Sequence, residues 1–476
     1  MERKSGVLMH VSSLPSGYSC GNFGKCSFEF IDFLKESGFT FWQVLPFCMP
    51  DEFFSPYKSY STFSINPYFL DLEDLYERGL ITKEELALSR EKESFRCEIE
   101  RLKSQRLSLL KKASEKFDFS ECEDFYKEEK DIETFANFMA EKSFNNGREW
   151  HLWDKQGFDK GDLRLWLFSQ YILNCQWKKV KSYANERGIK IIGDLPFYLS
   201  FDSAEVKNSP KLFDLKEDFT PRSVAGVPPD YFSPDGQVWG NPLYNFHSIK
   251  KDNYDFLKRR FSFYLKLFDG VRIDHFRAFE SYFEVPFGEK TAKYGKWKKG
   301  PGLSFIKEIK KVVGEKLVIA EDLGEITDRV VKLLDKSTFP GMRVLQFGFL
   351  SDPHSPHLPH NYKNNCVAYT GTHDNNTLLG YLWECEKSKR QEIFDYFGVM
   401  GDDIDLCFDA ILRQMLQSHA GLVIFPIQDL LKFGCDTRMN CPGTVGGNWL
   451  FRVTSEQLNS IDKNKFMKLN RTYGRI

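Results

Sequence analysis

The stretch KLVIAEDLGEITDRVVKLLDKSTFPGMRVLQF, residues 316–347, holds one complete strand, helix and strand. Residues 317–321 form a short apolar run that reads as a buried strand. The spacing then predicts a helix over 327–336 with Val330, Val331 and Leu334 on one face, and a second strand over 342–347. Two strands joined by a helix run parallel. Working outward, runs 6–14 and 41–47 bracket a helix expected near 27–37, and 189–197 follows a long amphipathic stretch closed by Gly188. The expected strands are 6–12, 41–46, 189–195, 270–274, 317–321, 342–347, 366–372 and 421–427. That set is the complement of a (β/α)8 TIM barrel, with helical subdomain insertions between barrel strands.

The whole chain, 1–476, is therefore expected to be one catalytic barrel body. The interval between the second and third strands is too long for a simple connection, so 71–185 is expected to be a mainly helical insertion. Within it, Phe95, Ile99, Leu102 and Leu109 predict an amphipathic helix in the 83–130 region, packed on the barrel flank. Residues 198–265 are read as a substrate-loop insertion. Its segment 224–244 contains Gly226, Pro228, Pro229, Pro234 and Gly236, which predicts a stiff irregular loop.

Net charge is -1 with a pI near 6.8, which argues against nucleic acid or an acidic membrane surface as partner and favours a neutral substrate. The apolar run Val7 to Met9 is too short for a signal peptide and nothing approaches a membrane span, so a soluble, cytoplasmic protein is expected. Eleven cysteines without a CxxC pair predict free thiols in a reducing compartment, with no disulfide and no zinc. Aromatic residues make up 16% of the chain; its Phe belong to the core, whereas Tyr and Trp on loops suit the faces and hydroxyl rims of sugars.

In a barrel the strand ends share one mouth, where Asp194, Asp274, Glu321, Asp374 and Asp429 are expected to meet. There is no Gly-rich phosphate loop after the first strand and no HExxH pair, which favours carboxylate chemistry. Retaining cleavage of a glycosidic bond needs two carboxyl groups roughly 5–5.5 Å apart, one attacking the anomeric carbon and one protonating the leaving oxygen. Asp274 has Arg272 two positions earlier on the same side of its strand, which should keep it ionised as a nucleophile. Glu321 ends an apolar strand, where burial should hold its proton for acid/base work. Asp374, beside His373, can stabilise developing positive charge. Asp429 either binds sugar or pairs with an arginine. Arg343 and Gln346 are expected to fix other mouth groups, and His10 to be a hydrogen-bonded pocket residue. His354, His357 and His360 lie in a proline-fixed loop without an acidic cluster, so no metal is expected there.

Further segments carry a resemblance: SSLPS at 12–16, WQVLP at 42–46, SPYKSYSTFSINP at 55–67, GDLPFY at 193–198, VAGVPPDYFSPDGQVWGNPLY at 224–244, RIDHFRAF at 272–279, AEDLG at 320–324, GMRVLQF at 341–347, PHNY at 359–362 and GTHDNNT at 371–377. In these, nearly end to end, the chain resembles the 4-α-glucanotransferases known as amylomaltases or disproportionating enzymes, glycoside hydrolase family 77 of the α-amylase clan. The resemblance implies Asp274 as nucleophile, Glu321 as acid/base and Asp374 as stabiliser. It also implies that Tyr57, Asp194, Trp239, Arg272 and His373, with Asn448 and Trp449, contact glucan. It implies α-1,4-glucans and maltooligosaccharides as donors and acceptors, glucose as an acceptor, and no cofactor. Ala278 stands where the family commonly has Gly, and Asn376 where it commonly has an acid; both bear on substrate preference rather than on the reaction. In the 224–244 loop, Tyr231, Phe232 and Trp239 either stack on glucose rings and keep water off the intermediate or only anchor the loop. A hydrolase of the same clan and a silent glycan-binding protein are the two rival readings.

Overall fold

The chain is described by a computed structural model, covering residues 1–229, 233–350, 352–444 and 446–476. Its strands are β1 (Lys4–Leu8), β2 (Phe41–Gln43), β3 (Lys190–Leu195), β4 (Ser223–Val227), β5 (Gln237–Pro242), β6 (Gly270–Ile273), β7 (Ser281–Pro286), β8 (Lys296–Lys299), β9 (Leu317–Ala320), β10 (Gly341–Val344), β11 (Cys366–Tyr369) and β12 (Leu422–Pro426). A closed barrel takes β1, β2, β3, β6, β9, β10, β11 and β12 in that order around the ring, each parallel to its neighbours. All eight expected barrel strands are present, and seven of them end earlier than their apolar runs suggest. The reason is visible at β10: beyond Val344 the chain turns away, and the Val344 amide donates to Nδ1 of His357 instead of a neighbouring strand.

The helix expected at 327–336 runs over Asp328–Ser337 with Val330, Leu333 and Leu334 buried, but Val331 is 44% exposed. Residues three and four apart share a helix face, and Val331 falls beside that stripe rather than within it. The single amphipathic helix expected over 83–130 is instead several pieces: Lys83–Ser89, Ile99–Arg101, a π-helical turn Leu102–Arg106, Leu107–Lys116 and Glu123–Glu128. Leu102 and Leu109 are buried, whereas Phe95 lies outside any helix and is 60% exposed. Helix Lys160–Glu186 packs against Leu107–Lys116 and Lys130–Phe144, and also against the barrel helix Lys25–Glu36. Its Trp177 sits among Phe23, Phe47 and Phe268, and its indole N–H donates to the Leu267 carbonyl, so a large buried aromatic leaves no polar atom unpaired.

Segment 224–244 is not irregular throughout: it carries most of β4 and all of β5. β4 and β5 form an antiparallel hairpin, with Val227 opposite Gln237, and join β7 and β8 in a four-stranded sheet beside the barrel. Pro228, Pro229, Pro234 and Gly236 fall between the strands, while Gly226 lies within β4 because a Cβ there would stand 2.4 Å from the Gln237 carbonyl oxygen. The stacking suggested for Tyr231 and Phe232 falls outside the described residues.

Inside the barrel wall, Gly193 lets Phe268 close over β3: a Cβ at 193 would lie 2.1 Å from that ring. We expect Gly193→Ala to cost about 1–3 kcal/mol, the usual range for overpacking, measured as a lowered denaturant midpoint. An unchanged midpoint would mean that the ring can move away.

Candidate active site

Strand register builds the site. Asp194 on β3 is level with Arg272 on β6, and Ile273 on β6 is level with Ala320 on β9. The next residues of those two strands, Asp274 and Glu321, therefore leave the barrel side by side, on strands spaced about 4.8 Å apart.

Arg272 points to the mouth and is buried. Its Nη1 donates to both oxygens of Asp194 at 2.8 Å and to Oδ1 of Asp274 at 3.2 Å. The Tyr57 hydroxyl donates to the other side of Asp194 at 2.8 Å, and the Tyr57 ring stacks on His373 with centroids 5.1 Å apart. A continuous row thus joins Tyr57, Asp194, Arg272 and Asp274.

The three acids differ electrostatically. Burial pushes Asp274 up, to about 6; Arg272 pulls it down, while Asp194 and Asp374 add to the rise. Arg272 acts in the expected direction, yet it does not hold Asp274 below the ordinary carboxylate range because burial, with the charges of Asp194 and Asp374, outweighs it. Since 29% of the Asp274 side chain stays accessible, solvent softens the burial. Burial pushes Glu321 further, to about 8, against Arg272 and with the help of the Asp274 charge. Its Oε2 accepts the His275 N–H at 2.7 Å and its Oε1 the Leu323 N–H at 3.1 Å, which fixes both oxygens. His275 has φ 49°, a left-handed conformation costing about 1–2 kcal/mol for an ordinary residue, and that turn places its N–H at Glu321.

Asp374 lies in the turn after β11. Burial would raise it, but His373, with Nε2 3.2 Å from Oδ2, the amide of Asn440 and the charge of Arg272 hold it down at about 2. The Asn440 Nδ2 donates to Oδ1 at 2.6 Å. One oxygen pair is thus kept ionised in a groove where Glu321 keeps its proton.

Trp239, on β5, packs edge to face with His275 at 5.0 Å and against Tyr198 at 6.2 Å, forming an aromatic wall next to the strand-end acids. Asn448 does not join the carboxylates: its Oδ1 accepts the Cys441 N–H and its Nδ2 donates to Thr444, within its own loop. Trp449 does join them, with its ring 5.9 Å from both Tyr57 and His373.

Asp429 is neither a sugar ligand at the mouth nor an arginine partner. It is 1% exposed and accepts from the Thr370 hydroxyl and the Leu378 N–H, which ties the Asp374 turn to the end of β12. His10 is buried, but its Nδ1 has no hydrogen-bond partner, because the ring lies against Phe69 and Phe47. Arg343 pairs with Asp322, which accepts the Met342 N–H, and Gln346 donates to the Asn376 carbonyl; both brace the mouth. His357 accepts from Val344, and His360 pairs with the Tyr396 hydroxyl. Among the described residues no cluster of His, Cys, Asp or Glu is arranged to hold a metal ion. Two small spaces behind the His373 and Trp449 wall share His10 and Met439, and neither reaches Asp274 or Glu321. The carboxylates are instead partly open to solvent, with 45% of the Asp374 side chain exposed.

Sequence reasoning missed Asn440, Tyr198 and His275. For His275 a signal existed, since it adjoins Asp274; for Asn440 none did, because its partner is 66 residues away.

The family model described as 4-alpha-glucanotransferase matches residues 9–458. The chain is 39% identical to a 4-alpha-glucanotransferase of Clostridium butyricum, over 98% of this chain and 100% of that protein. It is 40% identical to one of Aquifex aeolicus, over 99% of each. An amylomaltase of Streptococcus agalactiae, solved in complex with acarbose, superposes with a TM-score of 0.95 at 35% identity, covering both chains completely. Together with the barrel and its row of carboxylates, these likenesses show that the chain belongs to the 4-alpha-glucanotransferase family.

Proposed function

We propose that Asp274, Glu321 and Asp374 carry out a retaining transfer of α-1,4-glucan segments between maltooligosaccharides, with glucose among the acceptors. The observation that supports this most is the side-by-side exit of Asp274 and Glu321 around the shared charge of Arg272. An oxygen of Asp274 attacks the anomeric carbon, the bond to the leaving O4 breaks, and Glu321 gives its proton to that oxygen. The product is a glycosyl ester on Asp274 and a shortened glucan. Forming the ester removes the Asp274 charge that had helped to raise Glu321, so Glu321 becomes a better home for a negative charge and a ready base. It then takes the proton from the 4-hydroxyl of an incoming glucan or glucose, whose oxygen displaces Asp274. Two inversions preserve the α configuration. Asp374, ionised throughout, faces the positive charge that develops at the ring.

Tyr57, Arg272 and His373 line the donor sugar, Asp194, fully enclosed, acts by holding Tyr57 and Arg272 in place, and Trp239 walls the side where an acceptor enters. Asn448 acts by holding its loop at the rim. Eleven free thiols favour a cytoplasmic enzyme, and no described helix is long and apolar enough to cross a membrane.

Pure maltotriose tests this reading. Transfer gives longer and shorter oligosaccharides with free glucose; a steady rise in reducing ends without longer products would favour the hydrolase. The two higher pKa values, of Asp274 and Glu321, add a second expectation. Falling pH protonates Asp274 and removes the nucleophile, and rising pH strips Glu321 and removes the acid. We therefore expect kcat/KM, which reports the free enzyme, to fall below pH about 6 and above about 8. A flat profile across that window would contradict both assignments.

A further inference from the structure

We infer that Asn440 is a positioning residue for transfer: it fixes the carboxylate of Asp374 from a separate part of the chain. The inference rests on the proposed role of Asp374 as charge stabiliser.

Asp374 is not held by the barrel. It sits in a turn, and its own backbone N–H makes only a long contact, 3.3 Å, to the Thr372 hydroxyl. A half-exposed carboxylate in such a turn has free choice of rotamer unless its oxygens are held. Two side chains hold them. His373 reaches Oδ2 at 3.2 Å, and Asn440 reaches Oδ1 at 2.6 Å, the shorter contact and the one made from a separate segment.

Asn440 is itself braced on every side. Its backbone N–H donates to the His373 carbonyl at 3.1 Å, and the Arg438 guanidinium donates to the Asp374 carbonyl at 3.2 Å. The Trp449 N–H donates to the carbonyl of buried Met439 at 2.7 Å, and the Cys441 N–H to Oδ1 of Asn448 at 2.9 Å. Three residues later, Arg452 is buried and donates to the Tyr18, Leu14 and Ser16 carbonyls, which anchors the chain beyond Trp449. The amide is thus placed before any substrate arrives, as a functional donor must be. An asparagine in a glycine- and proline-bearing segment more often serves its own turn. Here the side-chain amide bonds across 66 residues to Asp374, and the backbone of Asn440 is not left-handed.

A neutral amide suits this place. Asp374 faces His373 from its own turn, Arg272 and Asp274 from the end of β6, Tyr57 from the loop after β2, and Arg438 and Asn440 from this segment. Asn440 offers a proton to the carboxylate oxygen without adding another charge, so it sets orientation while leaving the balance between Asp274, Asp374 and Arg272 intact. The arrangement also gives Asn448 a task, since its bond to Cys441 secures the residue next to Asn440.

The test compares Asn440→Ala and Asn440→Asp with the wild-type chain, each assayed for transfer on maltotriose from roughly pH 7.5 to 5. Alanine removes the donor, and we expect kcat to fall about 10- to 100-fold with KM nearly unchanged, the scale on which hydrogen-bonded partners of functional groups act. Aspartate places a second carboxyl against the first. Ionised, it repels Asp374; protonated, its O–H donates to the same oxygen and restores the bond. The ratio of Asn440→Asp to wild-type activity should therefore climb about tenfold as pH falls, while the Asn440→Ala ratio stays level. A misfolded chain would not regain activity on acidification, so the recovery is its own folding control. Wild-type kcat in Asn440→Ala, or a level ratio for Asn440→Asp, would overturn the role. Absence of transfer by the wild-type chain would instead sink the proposed function, and the two failures are thus distinct.

Discussion

Asp274→Asn is expected to lose transfer by about 10⁴-fold or more while still binding maltooligosaccharides, because an amide of the same shape cannot form the glycosyl ester. The surroundings favour a folded variant. Arg272 keeps both hydrogen bonds to Asp194, so no buried cation is stranded, and removing one negative charge relieves Asp194 and Glu321. The melting temperature should stay level or rise, as is common when a functional charge is removed. Rates on maltotriose, binding calorimetry with a longer maltooligosaccharide and a thermal melt check the three parts. Activity within tenfold of wild type would remove Asp274 from the nucleophile's role. Loss of binding along with activity would show that it also holds the sugar.

The second large effect is at Glu321. Glu321→Gln should lower transfer between ordinary glucans by about 10²- to 10⁴-fold, the usual contribution of a general acid. The loss should depend on the donor. With an α-maltosyl fluoride the leaving group needs no proton, so the first step should survive, and the second, which lacks its base, should let the glycosyl enzyme accumulate. The descending alkaline side of the pH profile should vanish as well, since the substituted amide cannot titrate. Equal losses on the fluoride and on maltotriose would mean that Glu321 supports structure, through the His275 and Leu323 amides it accepts, rather than proton transfer.

The barrel was legible because its strands are short apolar runs, and three of those runs lead into acids that surround one mouth. Boundaries were less so: strands stop where the mouth offers other partners, as Val344 does with His357. The hairpin of β4 and β5 was hidden by its own glycines and prolines. Gly226 reads as a break, yet it is what allows β4 to pass close to Gln237. The 83–130 region misled in the opposite sense, since an apolar spacing suited to one helix is divided among several short ones. Within the site, the upward push on Glu321 and the contact of Arg272 with Asp274 were legible from neighbours along the strand, whereas the net rise of Asp274 was not. Asp429 shows the limit of that reasoning, because a strand-end acid can be consumed by backbone and hydroxyl donors before it reaches the mouth. Asn440 shows another: a contact made across 66 residues has no local pattern.

The reaction proposed here stands on a covalent bond between the glucan and Asp274. The most direct measurement is mass spectrometry of the Glu321→Gln chain after brief exposure to α-maltosyl fluoride. One maltosyl group should be found, on the peptide that contains Asp274. A group on the peptide that contains Asp374 or on the one that carries the substitution, or steady turnover of the fluoride with the protein unmodified, would contradict it.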